Sequence, residues 1–174
     1  MEETTLSIDQ AGPDDVRACA TVLTRALGDD DVLRAIIRGE NRPPRVTALY
    51  VALLESGPIA HRTVDVVRVN GGPIVGVGMW TGPDQDESWL QHPIRLLREI
   101  RAIGLRHVSI VRAMDAEYAS FRPHYPHWYL TDLAVDQGSS APEGAWRAVQ
   151  GSARTLDGAS SAPTFRRGVS LGRV

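Results

Sequence analysis

Pro126-His127-Trp128-Tyr129-Leu130-Thr131-Asp132-Leu133-Ala134-Val135-Asp136 is the stretch on which the fold turns. It is rich in aromatic and branched residues and has no Gly or Pro after its first position, so it reads as a β-strand. Simple alternation puts Trp128, Leu130 and Ala134 on one face and Tyr129, Leu133 and Val135 on the other. A strand apolar on both faces belongs in the middle of a covered sheet. On pattern alone it is a central core strand.

Working back toward the N-terminus, two shorter strands stand before it. Thr63–Val69 alternates valines with Thr63, Asp65 and Arg68, and Ile74–Trp80 is almost wholly apolar. The intervening Asn70-Gly71-Gly72-Pro73 is a turn, so the two strands form a hairpin. Gly76 and Gly78 lie inside a strand rather than before a helix, which excludes a phosphate-binding loop there. Between hairpin and final strand, Gly82–Glu87 is a polar turn, Ile94–Ile103 and Leu105–Tyr118 have helical periodicity, and Ser120–Pro126 is a connector.

Before the hairpin, Thr4–Ile8 reads as an edge strand. Val16, Cys19, Ala20, Leu23 and Leu27 recur at helical spacing over Val16–Leu27. Gly28-Asp29-Asp30-Asp31 ends that helix and caps a second over Val32–Arg38. Three adjacent acids could bind a metal, but at a helix start they act as a solvated cap, and no metal ligands are assigned. Arg42-Pro43-Pro44 breaks the chain, and Arg45–Ser56 is a third helix with Val46, Leu49, Tyr50, Leu53 and Leu54 on one face.

The 174 residues, 43% of them hydrophobic, suit one domain with a single core. A net charge of −2 gives no global attraction to nucleic acid or an anionic membrane. Cys19 is the only cysteine, so no internal disulfide is possible and a reducing compartment is expected. There is no long apolar run and the acidic N-terminus lacks signal-peptide character, which gives a cytoplasmic expectation. All 19 basic residues are Arg, which with abundant Ala, Gly and Val points to a GC-rich gene. From Gln137 onward the chain is dominated by Gly, Ala, Ser and Arg with no sustained period, the composition of an irregular, poorly ordered tail over 137–174. Arg166-Arg167 has no aromatic platform beside it, so it does not read as a nucleic-acid site.

Tyr129-Leu130-Thr131-Asp132-Leu133-Ala134-Val135-Asp136 resembles the fourth strand of the GNAT N-acetyltransferase superfamily, and Ile74-Val75-Gly76-Val77 resembles its third. The order strand, helices, hairpin, helix, strand matches the first part of that fold over residues 4–136. The resemblance implies an α/β fold of the mixed α+β kind, the acyl-CoA N-acyltransferase fold, in a domain over 1–136 that is incomplete after the fourth strand. It implies acetyl-CoA as co-substrate and a small-molecule or peptide amine as acceptor, with no nucleic acid and no membrane as partner. A homodimer is a further expectation, because an exposed strand edge favours self-association. By position, the main chain of Leu133, Ala134 and Val135 would hold the pantetheine arm. Asp132 is a candidate base or proton relay, or else structural. A tyrosine side chain has a pKa of about 10 in general, so Tyr129 suits orientation better than proton abstraction. His127 lies nearby.

The family pattern continues with Pro and a Gln/Arg-x-x-Gly-x-Gly/Ala loop opening a helix, whose amides cradle the pyrophosphate. Here the corresponding stretch is Gln137-Gly138-Ser139-Ser140-Ala141-Pro142-Glu143-Gly144-Ala145, which lacks that spacing and carries an acid. Two explanations stand: a GNAT-like remnant that binds but does not transfer, or a slipped reading frame. Take codons GAC CAG GGT TCC AGC for Asp136 to Ser140. Read one base earlier, from the last C of GAC, they give Pro-Gly-Phe-Gln-Arg, and the following residues permit Gly-x-Gly. Loss of one C after Asp136 would therefore yield the present tail.

Overall fold

The computed structural model describes residues 4–39, 41–83, 113, 116–117, 120–121, 125 and 127–136. In chain order these form strand β1 (Leu6–Gln10), a 3-10 turn (Pro13–Asp15), helices α1 (Val16–Leu27), α2 (Asp31–Ile36) and α3 (Arg42–Glu55), then strands β2 (Val64–Val69), β3 (Ile74–Thr81) and β4 (Tyr129–Val135). The four strands make one antiparallel sheet in the order β1-β2-β3-β4.

Local chemistry sets the element ends. Helix α1 has the bounds its apolar spacing predicts. The Asp30 carboxylate accepts from the Val32 N–H at 2.8 Å and caps α2. The expected break at Pro43-Pro44 is instead the first turn of α3, which starts at Arg42. A first turn has no intrahelical use for its N–H groups, so proline costs nothing there. β1 lies two residues later than expected, because its ladder with β2 pairs Leu6 with Val69 and Gln10 with Asp65. In the hairpin, Asn70 and Gly71 both have positive φ, 50° and 67°, and the Gly72 N–H donates to the Val69 carbonyl at 2.8 Å. That is the turn whose twist matches the flanking strands.

Helices α1 and α3 pack on one face of the sheet. Leu23 and Val46 from the helices meet Val64, Val66, Val77, Met79 and Ala134 from the strands. The opposite face carries a second cluster, with Val67 and Val75 buried and Leu6, Val69, Leu133 and Val135 packed against them. Burying each such aliphatic side chain stabilises by roughly 1.5–3 kcal/mol.

β4 departs from simple alternation. Met79 faces Asp132, but the next residue, Trp80, faces Leu130. Thr131 is therefore an extra residue, a β-bulge. Residues directly opposite one another share a face. Met79 lies in the core under the helices, so Asp132 faces the helices too, and so do Thr81 and its partner Tyr129. Leu130 faces away with Trp80, whose indole N–H donates to Asp65 at 3.1 Å. The expected grouping is thus corrected: the bulge makes Tyr129 and Leu130 exchange faces. Among the described residues β4 is paired on one side only, with β3. The expected helices at 94–103 and 105–118, apart from isolated residues, and the tail from 137 lie outside the described residues.

Candidate functional site

The exposed edge of β4 has a defined polarity. In an antiparallel ladder, successive residues turn their main-chain groups alternately toward and away from the partner strand. The Asp136 N–H donates to the Val75 carbonyl at 2.8 Å. Asp136 thus faces β3, and by alternation Ala134 does as well, while Leu133 and Val135 point their N–H and C=O groups outward. No described strand pairs with them. Of the three residues expected to bind through main chain, two present it at the edge and Ala134, 1% exposed, is committed to the sheet and the core.

The far end of the strand is held by charge. Arg25, on α1, donates to the Asp136 carboxylate at 2.9 Å, which ties the helix to the strand terminus. No sequence signal linked these residues, which stand 111 positions apart.

The bulge places Tyr129 and Asp132 on the same helix-side face although they are three residues apart. Its extra residue is pinned, with the Thr131 and Thr81 hydroxyls 3.2 Å apart. Asp132 is half-buried, and desolvation alone pushes its carboxyl up from 3.8 to about 6. No hydrogen bond or cation among the described residues offsets that desolvation. A carboxyl with this value is part ionised near neutrality and can both take up and release a proton.

Tyr50, on α3, belongs to the core cluster that includes Met79 and Ala134 from the strands. It is 4% exposed, and its phenol is pushed well above the ordinary range, first by burial and then by the negative charges of Asp132 and Asp30. The charges of Asp132 on β4 and of Asp30 at the start of α2 thus both act on the Tyr50 phenol of α3. Helical spacing marks Tyr50 only as core, and the cap position marks Asp30 only as a cap. Their relation to Asp132 depends on how the helices lie across the sheet, which spacing does not carry.

His127 stands apart from this group. Its Nδ1 lies 2.8 Å from the Tyr125 carbonyl, the two rings meet edge-on at 5.8 Å, and its Nε2 is buried without a partner among the described residues. Among the described residues no three His, Cys, Asp or Glu side chains come together as a metal site, and no helix is long and apolar enough to cross a membrane.

The structure is similar to that of the histone acetyltransferase HPA2 and related acetyltransferase from Corynebacterium glutamicum. The TM-score is 0.64 at 21% identity, over 88% of this chain and 72% of that one. The mosquito arylalkylamine N-acetyltransferase like 5b aligns with a TM-score of 0.46 at 14% identity, over 89% of this chain and 72% of that one. No protein-family model matches the chain, and no curated protein matches it. The fold is that of the GNAT acetyltransferases, a mixed α+β domain with a four-stranded antiparallel sheet.

Proposed function

We propose that this chain is an acetyl-CoA-dependent N-acetyltransferase acting on an amine of a small molecule or peptide. One observation carries the reading: the outward main chain of Leu133 and Val135 lies on the same short strand as a desolvated carboxylate, Asp132. An extended pantetheine arm carries amide groups that pair with such an edge as an added strand would. Leu133 and Val135 fit that arm; Ala134 contributes its small side chain and not its main chain.

Asp132 takes a proton from the acceptor's ammonium, giving a neutral amine and a carboxylic acid. The amine nitrogen bonds to the acetyl carbon and the carbon–sulfur bond breaks; the nitrogen's surplus proton passes through water to the departing thiolate, and Asp132 returns its own proton to solvent. An outward amide of Leu133 or Val135 stabilises the thioester oxygen as charge develops there. Tyr129, on the same face, orients the acceptor.

Thermal unfolding with and without acetyl-CoA tests the binding half. A ligand at a hundred times its Kd adds about 2.7 kcal/mol of stability, so a clear rise in melting temperature is expected. No shift at millimolar acetyl-CoA overturns the reading. Release of free thiol from acetyl-CoA in the presence of an amine panel tests transfer, and Asp132→Asn is expected to lower kcat by about 100-fold or more.

A second reading, a binding module without transfer, is favoured by one feature: Gln137–Ala145 does not supply the glycine loop. Under it, acetyl-CoA raises the melting temperature little and no thiol is released.

A further inference from the structure

We propose that β1 is a self-association edge: two copies of this chain pair antiparallel through Leu6–Gln10 about a two-fold axis at Ile8. The pairing joins their sheets end to end. It is independent of the acetyl-transfer reading, because β1 and β4 are opposite edges of the sheet.

The edge has a readable polarity. The Asn70 N–H donates to the Thr5 carbonyl at 2.8 Å, and the Ala11 N–H donates to the Val64 carbonyl at 2.9 Å. Thr5 and Ala11 thus face β2, and alternation turns Ser7 and Asp9 the same way. Leu6, Ile8 and Gln10 point their N–H and C=O groups outward, and no described residue pairs with them. Solvent reaches this edge. Ile8 is 45% exposed, an apolar side chain left open beside unpaired main chain, and Asp9 and Gln10 are exposed too.

Strand edges are commonly protected by a proline, a bulge or an unpaired charge. β1 has no proline, and its ladder with β2 runs without a register shift. Its single charge, Asp9, lies 3.7 Å from Arg68 and also accepts from the Ser7 hydroxyl at 3.0 Å. β4 differs, since the bulge at Thr131 interrupts its register.

The sequence of β1 is complementary to itself. With Ile8 on the axis, Ile8 faces Ile8 of the second copy, Leu6 faces Gln10, and Ser7 faces Asp9. The outward residues then exchange about six main-chain hydrogen bonds in closely spaced pairs. The two Ile8 side chains shield one another from water on one face. On the other face no like charges stand directly opposite, because each Asp9 meets a serine. A two-fold axis needs this self-complementarity.

Sedimentation velocity of the full chain tests the association. A five-residue strand pair is a small interface, so the mass should rise with concentration from 19.0 kDa toward twice that value. Ile8→Lys sets like charges face to face on the axis, and Ile8→Pro removes an N–H that the ladder with β2 does not use. Both should weaken the dimer at least tenfold. Ile8→Lys should keep the melting temperature of the parent monomer, so it carries the test even if Ile8→Pro folds poorly. Cross-linking fixes the register. Residues on the axis have Cα atoms about 5.5 Å apart, within disulfide range, whereas the two Gln10 positions are about 14 Å apart along the strands. Mild oxidation should therefore link Ile8→Cys into a covalent dimer and leave Gln10→Cys unlinked; the native Cys19 is fully buried. A monomer at all concentrations overturns the proposal. So does a dimer that persists unchanged in Ile8→Lys, or one that cross-links at Gln10→Cys as readily as at Ile8→Cys.

Discussion

At the scale of single residues, two carboxylates respond to their surroundings in opposite directions. Asp15 accepts from the Gly12 N–H at 3.0 Å and from Arg68 at 2.7 Å, and these contacts hold its carboxyl below the ordinary range. Asp132 has desolvation and no compensation, and lies at about 6. Asp15 therefore contributes stability that is present above its unfolded value of 3.8 and is lost as pH falls through its lower folded value. Asp132 has the opposite sign. Between about 4 and about 6 the folded chain holds a proton there that the unfolded chain has released, so stability falls as pH rises through that window and levels off above it. A shift from 3.8 to about 6 corresponds to at most about 3 kcal/mol. Asp132→Asn removes this slope. Urea unfolding at pH 4 and pH 8 is expected to show the variant gaining on the parent by about 2–3 kcal/mol between the two. Parallel pH profiles for the two proteins would show that Asp132 is not desolvated.

At the scale of elements, the edge of β4 allows a comparison between neighbouring residues. Proline removes one N–H, which matters only where that N–H is used. At Ala134 it faces β3, so Ala134→Pro removes a ladder hydrogen bond and leaves its partner unmet, which should cost about 1–3 kcal/mol. At Val135 it faces the open edge, so Val135→Pro should cost distinctly less stability while weakening acetyl-CoA about tenfold, the loss of one main-chain hydrogen bond. Chemical unfolding and calorimetric titration of both variants measure this; a larger stability loss at Val135 than at Ala134 would show that the alternation is assigned the wrong way round. The same strand shows what can be read from sequence. The helix over Val16–Leu27 and the Asn70-Gly71 hairpin are legible because their signals are local: apolar spacing in one, two residues that tolerate positive φ in the other. The bulge at Thr131 is not local. Tyr129 and Leu130 exchange faces because β3 offers one residue where β4 spends two, and nothing within β4 announces that. The candidate site follows the same division. Asp132 and Tyr129 are visible through the strand motif, whereas Tyr50 is known from the sequence only as a core position of α3, and its sharing of one core cluster with the strands is a tertiary fact.

At the scale of the whole molecule, the sheet edge and the carboxylate supply contacts for the thioester end of acetyl-CoA, but its diphosphate needs donors of another kind. Those come most readily from successive amides at a helix start, where the dipole also favours an anion. The stretch that follows Asp136 instead offers Pro142, which has no N–H, and Glu143, which repels phosphate. The shifted reading Pro-Gly-Phe-Gln-Arg followed by Gly-x-Gly would provide free amides and an added Arg in place of that acid. A gene with one C inserted directly after the Asp136 codon is therefore expected to encode a chain that binds acetyl-CoA at least about tenfold more tightly than the present one, since an anion held at a helix start contributes up to about 2 kcal/mol. The gain should belong to the diphosphate: acetyl-pantetheine, which lacks the nucleotide, should bind both chains alike. Calorimetry with the two ligands separates the terms. Equal affinity of both chains for acetyl-CoA would sink the slipped-frame explanation, as would codons at this junction that yield no Pro-Gly-Phe-Gln-Arg in any frame. The thioester contacts at Leu133 and Val135 are unchanged by the insertion, so acetyl-pantetheine also serves as the internal control for the edge of β4.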